Sequence, residues 1–302
     1  LLIDQSIKML YLLIVNYYSS DLILALLQSI PEADRANLKM IIVNNSPGDR
    51  TLHPLSQTYP NLTLLTAPEN LGFGGGCNLG LNWIYERDRQ SLVWLINPDT
   101  TLADAAIDYI QTCFQEHPNL AILGTQIQDS HGNPWFTQGQ FNRWLGSLPH
   151  QHPISPSEHP TSKIFPSRWV SGCSLILNLA RFPSCPQFDR HYFLYYEDND
   201  LCERYFQQGY AIAVTQAILV THQVSATSQK NIKAKLHHAT YSKLYFLQQH
   251  GTALALLLNL GYLSLKLIAD WMKQNGDQYQ GRWQGLQQFL RSSWVFIFIN
   301  LF

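Results

Sequence analysis

The sequence predicts an α/β fold, a mostly parallel, doubly wound sheet flanked by helices, followed by a C-terminal helical appendage. Three observations carry this expectation. Fully apolar strand-like runs alternate with helix-like segments as far as Pro118, which is the signature of buried parallel strands joined by crossovers. A proline-rich stretch, 146–168, then breaks the regularity, and from about residue 230 only helical patterning remains. With 46% hydrophobic and 14% charged residues among 302, the chain can bury a sizeable core, which excludes disorder as its main state.

The elements follow in order. "MLYLLIV" (9–15) reads as a buried strand, after which Ser19, Ser20 and Asp21 offer N-cap side chains to a helix over "LILALLQSI". "LKMIIV" (38–43) and "NLTLLTA" (61–67) are the second and third strands. "GCNLGLNWIYERDR" is a helix, "LVWLI" (92–96) the fourth strand, and "ADAAIDYIQTCFQEH" a helix ended by Pro118. The segment 146–168, with its prolines and no apolar period, reads as a long mobile loop in which His150, His152 and His159 are solvated. A strand over 169–178, a helix over 198–208 stopped by Gly209, and a strand-like run from Ala211 follow. The expected division is a catalytic domain over 1–229 and a helical region over 230–302.

Charge and cysteine usage set the partners and the compartment. A net charge of −1 gives no reason to expect nucleic acid, but the distribution is uneven. From Lys230 onward eight Lys/Arg face two acids, leaving the first 229 residues at −7. That basic, aromatic-rich tail, ending "SSWVFIFINLF", suits an appendage resting on an anionic membrane surface; packing on the catalytic domain or a homodimer contact is the other use for it. The longest uncharged apolar stretch in it, Gly251 to Leu265, falls short of the roughly 20 residues that span a bilayer. Five scattered cysteines without a C-x-x-C pair fit a reducing compartment, and no secretory signal pattern is visible, so a cytoplasmic location is expected.

Four features with chemical potential fall at predicted strand ends. "VNNSPGD" (43–49) has the residues of any turn, at a place where a ligand would sit. "ENLGFGGGCNLGLN" (69–82) is either a tight connection or a phosphate- or sugar-facing turn; it matches neither the dinucleotide fingerprint nor the phosphate-binding P-loop, which argues against an NAD-binding enzyme. Asp99 in "NPD" either caps the helix expected near Ala103 or offers a hard oxygen to Mg²⁺ or Mn²⁺, with Pro98 fixing its direction. "YYEDNDLCER" (195–204) crowds three carboxylates at a helix start: a charged N-terminus, or an enclosed pair with one pKa raised towards that of a general base. His222, at another strand end, is either structural or a second ligand beside Asp99.

Taken in order, "LLIVNYYSSDLILALLQSI", "IIVNNSPGD", "ENLGFGGGCNLGL", "WLINPDTTL", "WVSGCSLILN", "FLYYEDNDLCERYFQQGY" and "THQVSATS" resemble the inverting family 2 glycosyltransferases, in particular their rhamnosyltransferase-like branch, over about residues 9–250. The resemblance implies a GT-A fold and transfer of a sugar from a nucleotide-diphosphate donor (dTDP-, UDP- or GDP-linked) to a saccharide or lipid-linked acceptor, at the inner face of a membrane. On this resemblance Asn16, Asn44, Asn45 and Ser46 face the base and ribose, although the family usually has Asp where Asn44 stands. Asn70, Gly72, Phe73 and Asn78 shape the nucleotide-sugar pocket, with Asn97 beside them, and Gly172 and Cys173 underlie the donor sugar and acceptor. Asp99 takes the place of the family's metal carboxylate, a divalent cation (Mg²⁺ or Mn²⁺) being the cofactor, and His222 is a further ligand. Asp198 matches the family base, with Glu197 adjacent.

Those residue types suit the reaction. An acceptor hydroxyl attacks the anomeric carbon while the nucleotide diphosphate leaves, so charge on the leaving group and a proton on the nucleophile must both be dealt with. A rival expectation is a catalytically inactive homologue that binds nucleotide sugar or glycan as an adaptor; Asn44 and the single carboxylate of the Asn97-Pro98-Asp99 turn favour it, and Glu197, Asp198 and His222 count against it.

Overall fold

The computed structural model describes residues 8–150, 163–223 and 231–299, with side chains described as far as Ser292. Strands β1 (Leu10–Asn16), β2 (Lys39–Asn44), β3 (Leu62–Thr66) and β4 (Leu92–Ile96) alternate with helices α1 (Ser20–Ser29), α2 (Glu32–Asn37), α3 (His53–Thr58) and α4 (Gly72–Tyr85). Then come β5 (Thr100–Leu102), α5 (Ala106–Glu116), β6 (Leu120–Asp129), β7 (Pro134–Phe136), β8 (Ile164–Pro166), β9 (Ser174–Asn178), α6 (Glu197–Gln207) and β10 (Ala211–His222). Helices α7 (Ile232–His250), α8 (Ala253–Met272) and α9 (Gly276–Ile299) close the chain.

The strands form one sheet in the order β3-β2-β1-β4-β9-β6-β10-β5, with β7 beside β6 and β8 beside β10. β1 is parallel to both β2 and β4, and β2 to β3. β9 runs antiparallel between β4 and β6, and β10 is parallel to β6. One reversed strand between two forward ones leaves the C-terminal ends of β1, β2, β4, β6 and β10 on a single edge, together with the N-terminal end of β9. Asn16, Asn44, Asn97, Asp99 and His222, at or just past strand ends, and Gly172 and Cys173, just before β9, lie on that edge.

The sheet must also curl. Ile96 ends β4 and Thr100 begins β5, so the chain between them reaches roughly 14 Å at full extension. Four strand spacings separate β4 from β5 in the sheet order, roughly 19 Å if the sheet were flat. Only curvature at this edge lets so short a connection join the two strands, and it draws the end of β10 towards the end of β4.

Several sequence expectations are corrected. Ser19 occupies the N-cap position of α1 without capping it; its N–H and hydroxyl both donate to Asn16 Oδ1 (2.9 and 3.0 Å). The glycine-rich stretch is not a turn before a helix but the first turns of α4, four residues earlier than expected. Part of the expected loop 146–168 is strand β8, antiparallel to β10; residues 151–162, including His152 and His159, lie outside the described residues, as do the 229/230 boundary, Val224–Ser228 of "THQVSATS" and the last three residues. Strands β5 to β8 had no counterpart in the expectations. Helix α8 is 20 residues, because it continues past Lys266 to Met272; it is the one helix among the described residues long and apolar enough to cross a membrane.

The C-terminal helices share a second apolar core of Tyr241, Leu244, Phe246, Leu263 and others, which Tyr192 joins from the segment before α6, its ring edge-on to Tyr245. Ser242 Oγ donates to the Leu194 carbonyl (2.9 Å) and the Tyr245 hydroxyl to Asp189 Oδ2 (3.3 Å). At Gly281 and Gly285 an added Cβ would meet the backbone carbonyls of Lys233 and His237 at 2.5 Å, so these glycines let α9 and α7 approach closely.

Candidate active site

Asp99 meets His222 because of β5. Antiparallel pairing sets Thr100 opposite His222, and the Gln223 N–H donates to the Asp99 carbonyl (2.8 Å). The Asp99 Oδ1 to His222 Nε2 distance is 3.2 Å. Helix α5 starts at Ala106 with Ala105 at its N-cap, so Asp99 is not the cap of that helix and that reading of "NPD" fails. His222 is buried; its ring meets Trp135 edge-on at 4.6 Å between centroids, and its Nδ1 has no hydrogen-bond partner among the described residues.

The acidic cluster divides into three roles. Tyr195 and Tyr196 both take φ 68°, an uncommon left-handed pair that turns the chain into α6. Asp198 then lies against Gly172: Oδ2 accepts from the Gly172 N–H and Oδ1 from the Asn199 N–H, both at 2.8 Å. A Cβ on Gly172 would sit 3.2 Å from the Phe73 ring and 3.3 Å from Asp198 Cβ, so a bare backbone suits that approach. Glu197 is buried with Oε2 unpartnered among the described residues, and burial, reinforced by the Asp198 charge, pushes it up to about 8. Burial raises Asp198 too, opposed by the Gly172 and Asn199 amides. Asp200 is committed elsewhere, to His250 Nε2 and Arg204 Nε at 2.7 Å each.

These groups face one cleft of about 540 Å³. Of the residues expected at the site it takes in Phe73, Asn97, Asp99, Gly172, Cys173, Glu197, Asp198 and His222. It does not take in Asn16, Asn44, Asn45, Asn70, Gly72 or Asn78, which build the neighbouring turns. Asn16 Nδ2 donates to Asn44 Oδ1 and Asp49 Oδ2 (3.2 Å each), and Asn44 Nδ2 to the Asp49 carbonyl (2.9 Å). Asn45 donates to Asn70 Oδ1 and the Gly72 carbonyl, while Asn78 and the Phe188 backbone bond reciprocally. The amides of Leu71, Gly72 and Phe73 donate to Asn45, Asn70 and the Phe193 carbonyl. Gly72 has φ +73°, and a Cβ there would strike the Phe193 carbonyl.

Sequence reasoning missed Trp135, Trp169 and Lys235, which also line the cleft, and Asp49, whose carboxyl Thr51 holds below the usual range by donating hydroxyl and N–H. Asp49 lay within the quoted turn and its carboxylate was the available signal. Trp135 follows β6, in a stretch where no element had been read. Among the described residues no group of three or more His, Cys, Asp or Glu converges as a metal cage. The pair Asp99 and His222 nevertheless fits a divalent ion: a carboxylate oxygen and an imidazole stand side by side on the cleft wall, and the imidazole keeps an orphaned buried nitrogen.

Residues 11–171, more than half of the chain, match the family model described as glycosyl transferase family 2. The chain belongs to that family. Among curated members, the N-acetylglucosaminyl-diphospho-decaprenol L-rhamnosyltransferase of Mycobacterium tuberculosis is 25% identical over 250 residues, 74% of this chain and 80% of that protein. Rhamnosyltransferase WbbL of Escherichia coli is 24% identical over 229 residues, 71% and 83% of the two chains. The crystal structure of GalNAc-T7 with UDP, GalNAc and Mn²⁺ superposes with a TM-score of 0.57 at 11% identity, over 73% of this chain; the chain spans 44% of that structure's length. The fold of this family 2 glycosyltransferase is GT-A, as the curled sheet and the resemblance imply.

Proposed function

We propose that this glycosyltransferase moves a hexosyl group, of which rhamnosyl is the leading case, from a nucleotide-diphosphate sugar to a hydroxyl of a saccharide or lipid-linked acceptor, with inversion. The observation that carries the reading is that the Asp99–His222 pair and the Asp198 carboxylate line one and the same cleft. Both M. tuberculosis and E. coli relatives are named rhamnosyltransferases, and the former's name gives a lipid-diphosphate sugar as acceptor.

Asp198 is the base of this reading. Two backbone amides fix its orientation, and burial makes it a stronger proton acceptor than a solvated aspartate. The acceptor oxygen bonds to the anomeric carbon, the bond from that carbon to the diphosphate breaks, and the hydroxyl proton passes to Asp198. Glu197, raised to about 8, retains its proton at neutral pH and spares Asp198 a second adjacent charge. Asp99 and His222 would hold a divalent cation, which when bound offsets charge on the leaving diphosphate. Asn16, Asn44, Asn45 and Asn70 shape the nucleotide end, and the buried Asn16–Asn44–Asp49 network supplies there the carboxylate that position 44 lacks. Peripheral contact with the inner face of the membrane belongs to the same reading, since a lipid-linked acceptor resides there.

The adaptor alternative rests on Asn44 and the lone turn carboxylate; the enclosed Glu197 and Asp198 favour catalysis. A thermal-shift panel of UDP-, dTDP- and GDP-sugars with and without Mn²⁺ tests the reading. One donor family should stabilise the protein in a Mn²⁺-dependent manner, and no shift with any of them would remove donor binding as proposed.

A further inference from the structure

Helix α8 is tied down on one side only. Leu263 and Leu267 are buried, Asp270 is buried and ion-paired with Arg282 of α9, and Asn259 Nδ2 donates to the Leu145 carbonyl (3.0 Å). On the other side, Leu254, Leu257, Leu258, Leu265, Ile268 and Met272 fall within about 100° of one another at 100° per residue, one stripe of apolar side chains along roughly 30 Å of helix. Leu257, Leu265 and Met272 are 66–72% exposed, which is far beyond the scattered exposure of a water-facing helix. The turn around Trp144 and Leu145, both exposed, is hydrogen-bonded to the N-cap of α8 through Thr252.

We infer that this face of α8 inserts into the interfacial layer of a lipid bilayer, with the helix lying flat. Three features select a bilayer as the occupant. The aliphatic centre is accompanied by exposed Tyr262, Trp271 and Trp144, amphipathic rings suited to the headgroup boundary. At 100° per residue Lys266 and Lys273 stand along one border of the stripe, where their stems run beside apolar surface and their ammonium groups reach lipid phosphates. The helix's one acid, Asp270, is withdrawn and neutralised by Arg282, so the exposed charge on α8 is positive only, complementary to an anionic surface. Spanning is excluded by the buried flank, since a helix packed on α7 and α9 through one side is not surrounded by lipid.

The placement also orients the enzyme. α8 runs back along α7, and α9 starts beside the first turns of α7, where Lys233 Nζ donates to Gln280 Oε1 (2.8 Å). Trp271 and Met272 therefore lie at the end of the helical unit where Lys235 rims the catalytic cleft. The inference deepens the proposed membrane contact and rests on apolar insertion rather than on the basic charge of the tail.

Co-sedimentation of the full chain with vesicles of phosphatidylcholine, with and without one quarter phosphatidylglycerol, tests it. Binding to both is expected, stronger with the anionic lipid and largely retained at about 0.5 M salt. The double substitution Leu257→Glu and Leu265→Glu should reduce the bound fraction roughly tenfold or more, while circular dichroism and the thermal midpoint stay as in the parent. In the parent, brominated lipid should quench tryptophan fluorescence, and Trp271→Phe should diminish that quenching. No sedimentation of the parent, equal binding by the double variant, or a lipid-free dimer that the double variant dissociates without any vesicle binding would each overturn the inference. The readout needs no donor or acceptor, so its failure and the failure of the transfer reaction are told apart.

Discussion

Asp99 Oδ1 and His222 Nε2 stand 3.2 Å apart, brought together from strands β4 and β10 by the three-residue strand β5. On the proposed reading two such donors would hold a divalent cation only weakly without further oxygen ligands. Asp99→Ala or His222→Ala should therefore weaken Mn²⁺-dependent binding of a nucleoside diphosphate by at least about tenfold, the scale on which even indirect ligand support acts. Titration calorimetry with and without Mn²⁺ measures it; equal affinities in parent and variants would remove the metal assignment.

Asp198→Asn keeps the shape of the side chain and removes the proton acceptor. Transfer should fall by about 10²- to 10⁴-fold with donor affinity within about twofold. Turnover close to the parent's would transfer the role of base to another group.

Glu197 gives a pH signature in stability. Its carboxyl is raised to about 8 in the folded chain against an ordinary 4.5, so between those values the folded state holds a proton that the unfolded state has lost. The stabilising linkage is complete below the unfolded value and declines as pH rises through this window. The thermal midpoint of the parent should thus fall more steeply from pH 5 to about 8 than that of Glu197→Gln, which has no proton to lose; parallel profiles would contradict the raised value.

His250→Ala removes one of the two side chains that meet Asp200 at 2.7 Å in a buried setting and leaves Arg204. A loss of about 1–3 kcal/mol is expected in urea denaturation, the cost of depriving a buried charged group of a hydrogen bond. Gly285→Leu should cost about 1–3 kcal/mol through a different cause, overpacking against the His237 carbonyl, which as backbone cannot step aside. Because the two sites act on different contacts, each is measured separately, and a neutral Gly285→Leu would show that α7 and α9 separate freely.

How much of this was legible in sequence depends on the periodicity available. β1 to β4 are continuous apolar runs with helices between them, and their bounds were readable to within a residue or so. β6 carries an equally apolar start, "LAIL", but it follows the break at Pro118 and pairs with an antiparallel neighbour, so the alternation that identified the earlier strands no longer applied. Asp99, His222 and Asp198 were visible as polar residues terminating apolar runs. Their mutual distances were not, because these depend on β9 running backwards and on the curl of the sheet, which are tertiary properties. Asn44, Asn45 and Asn78 were expected at the nucleotide-sugar pocket, and in the fold their side-chain amides also bond backbone carbonyls; an amide side chain serves both purposes and its sequence position does not distinguish them.

The connection Asn97-Pro98-Asp99 has a consequence for how this enzyme tolerates change in length. Surface loops ordinarily accept added residues at small cost. This one works as a tie rod: it is shorter than the flat-sheet distance between the strands it joins, so its length sets how far the sheet closes. One inserted residue would slacken the rod, let β10 with its partner β5 relax away from β4, and carry the Asp99–His222 pair as a unit away from Asn97 without altering a single side chain of the cleft.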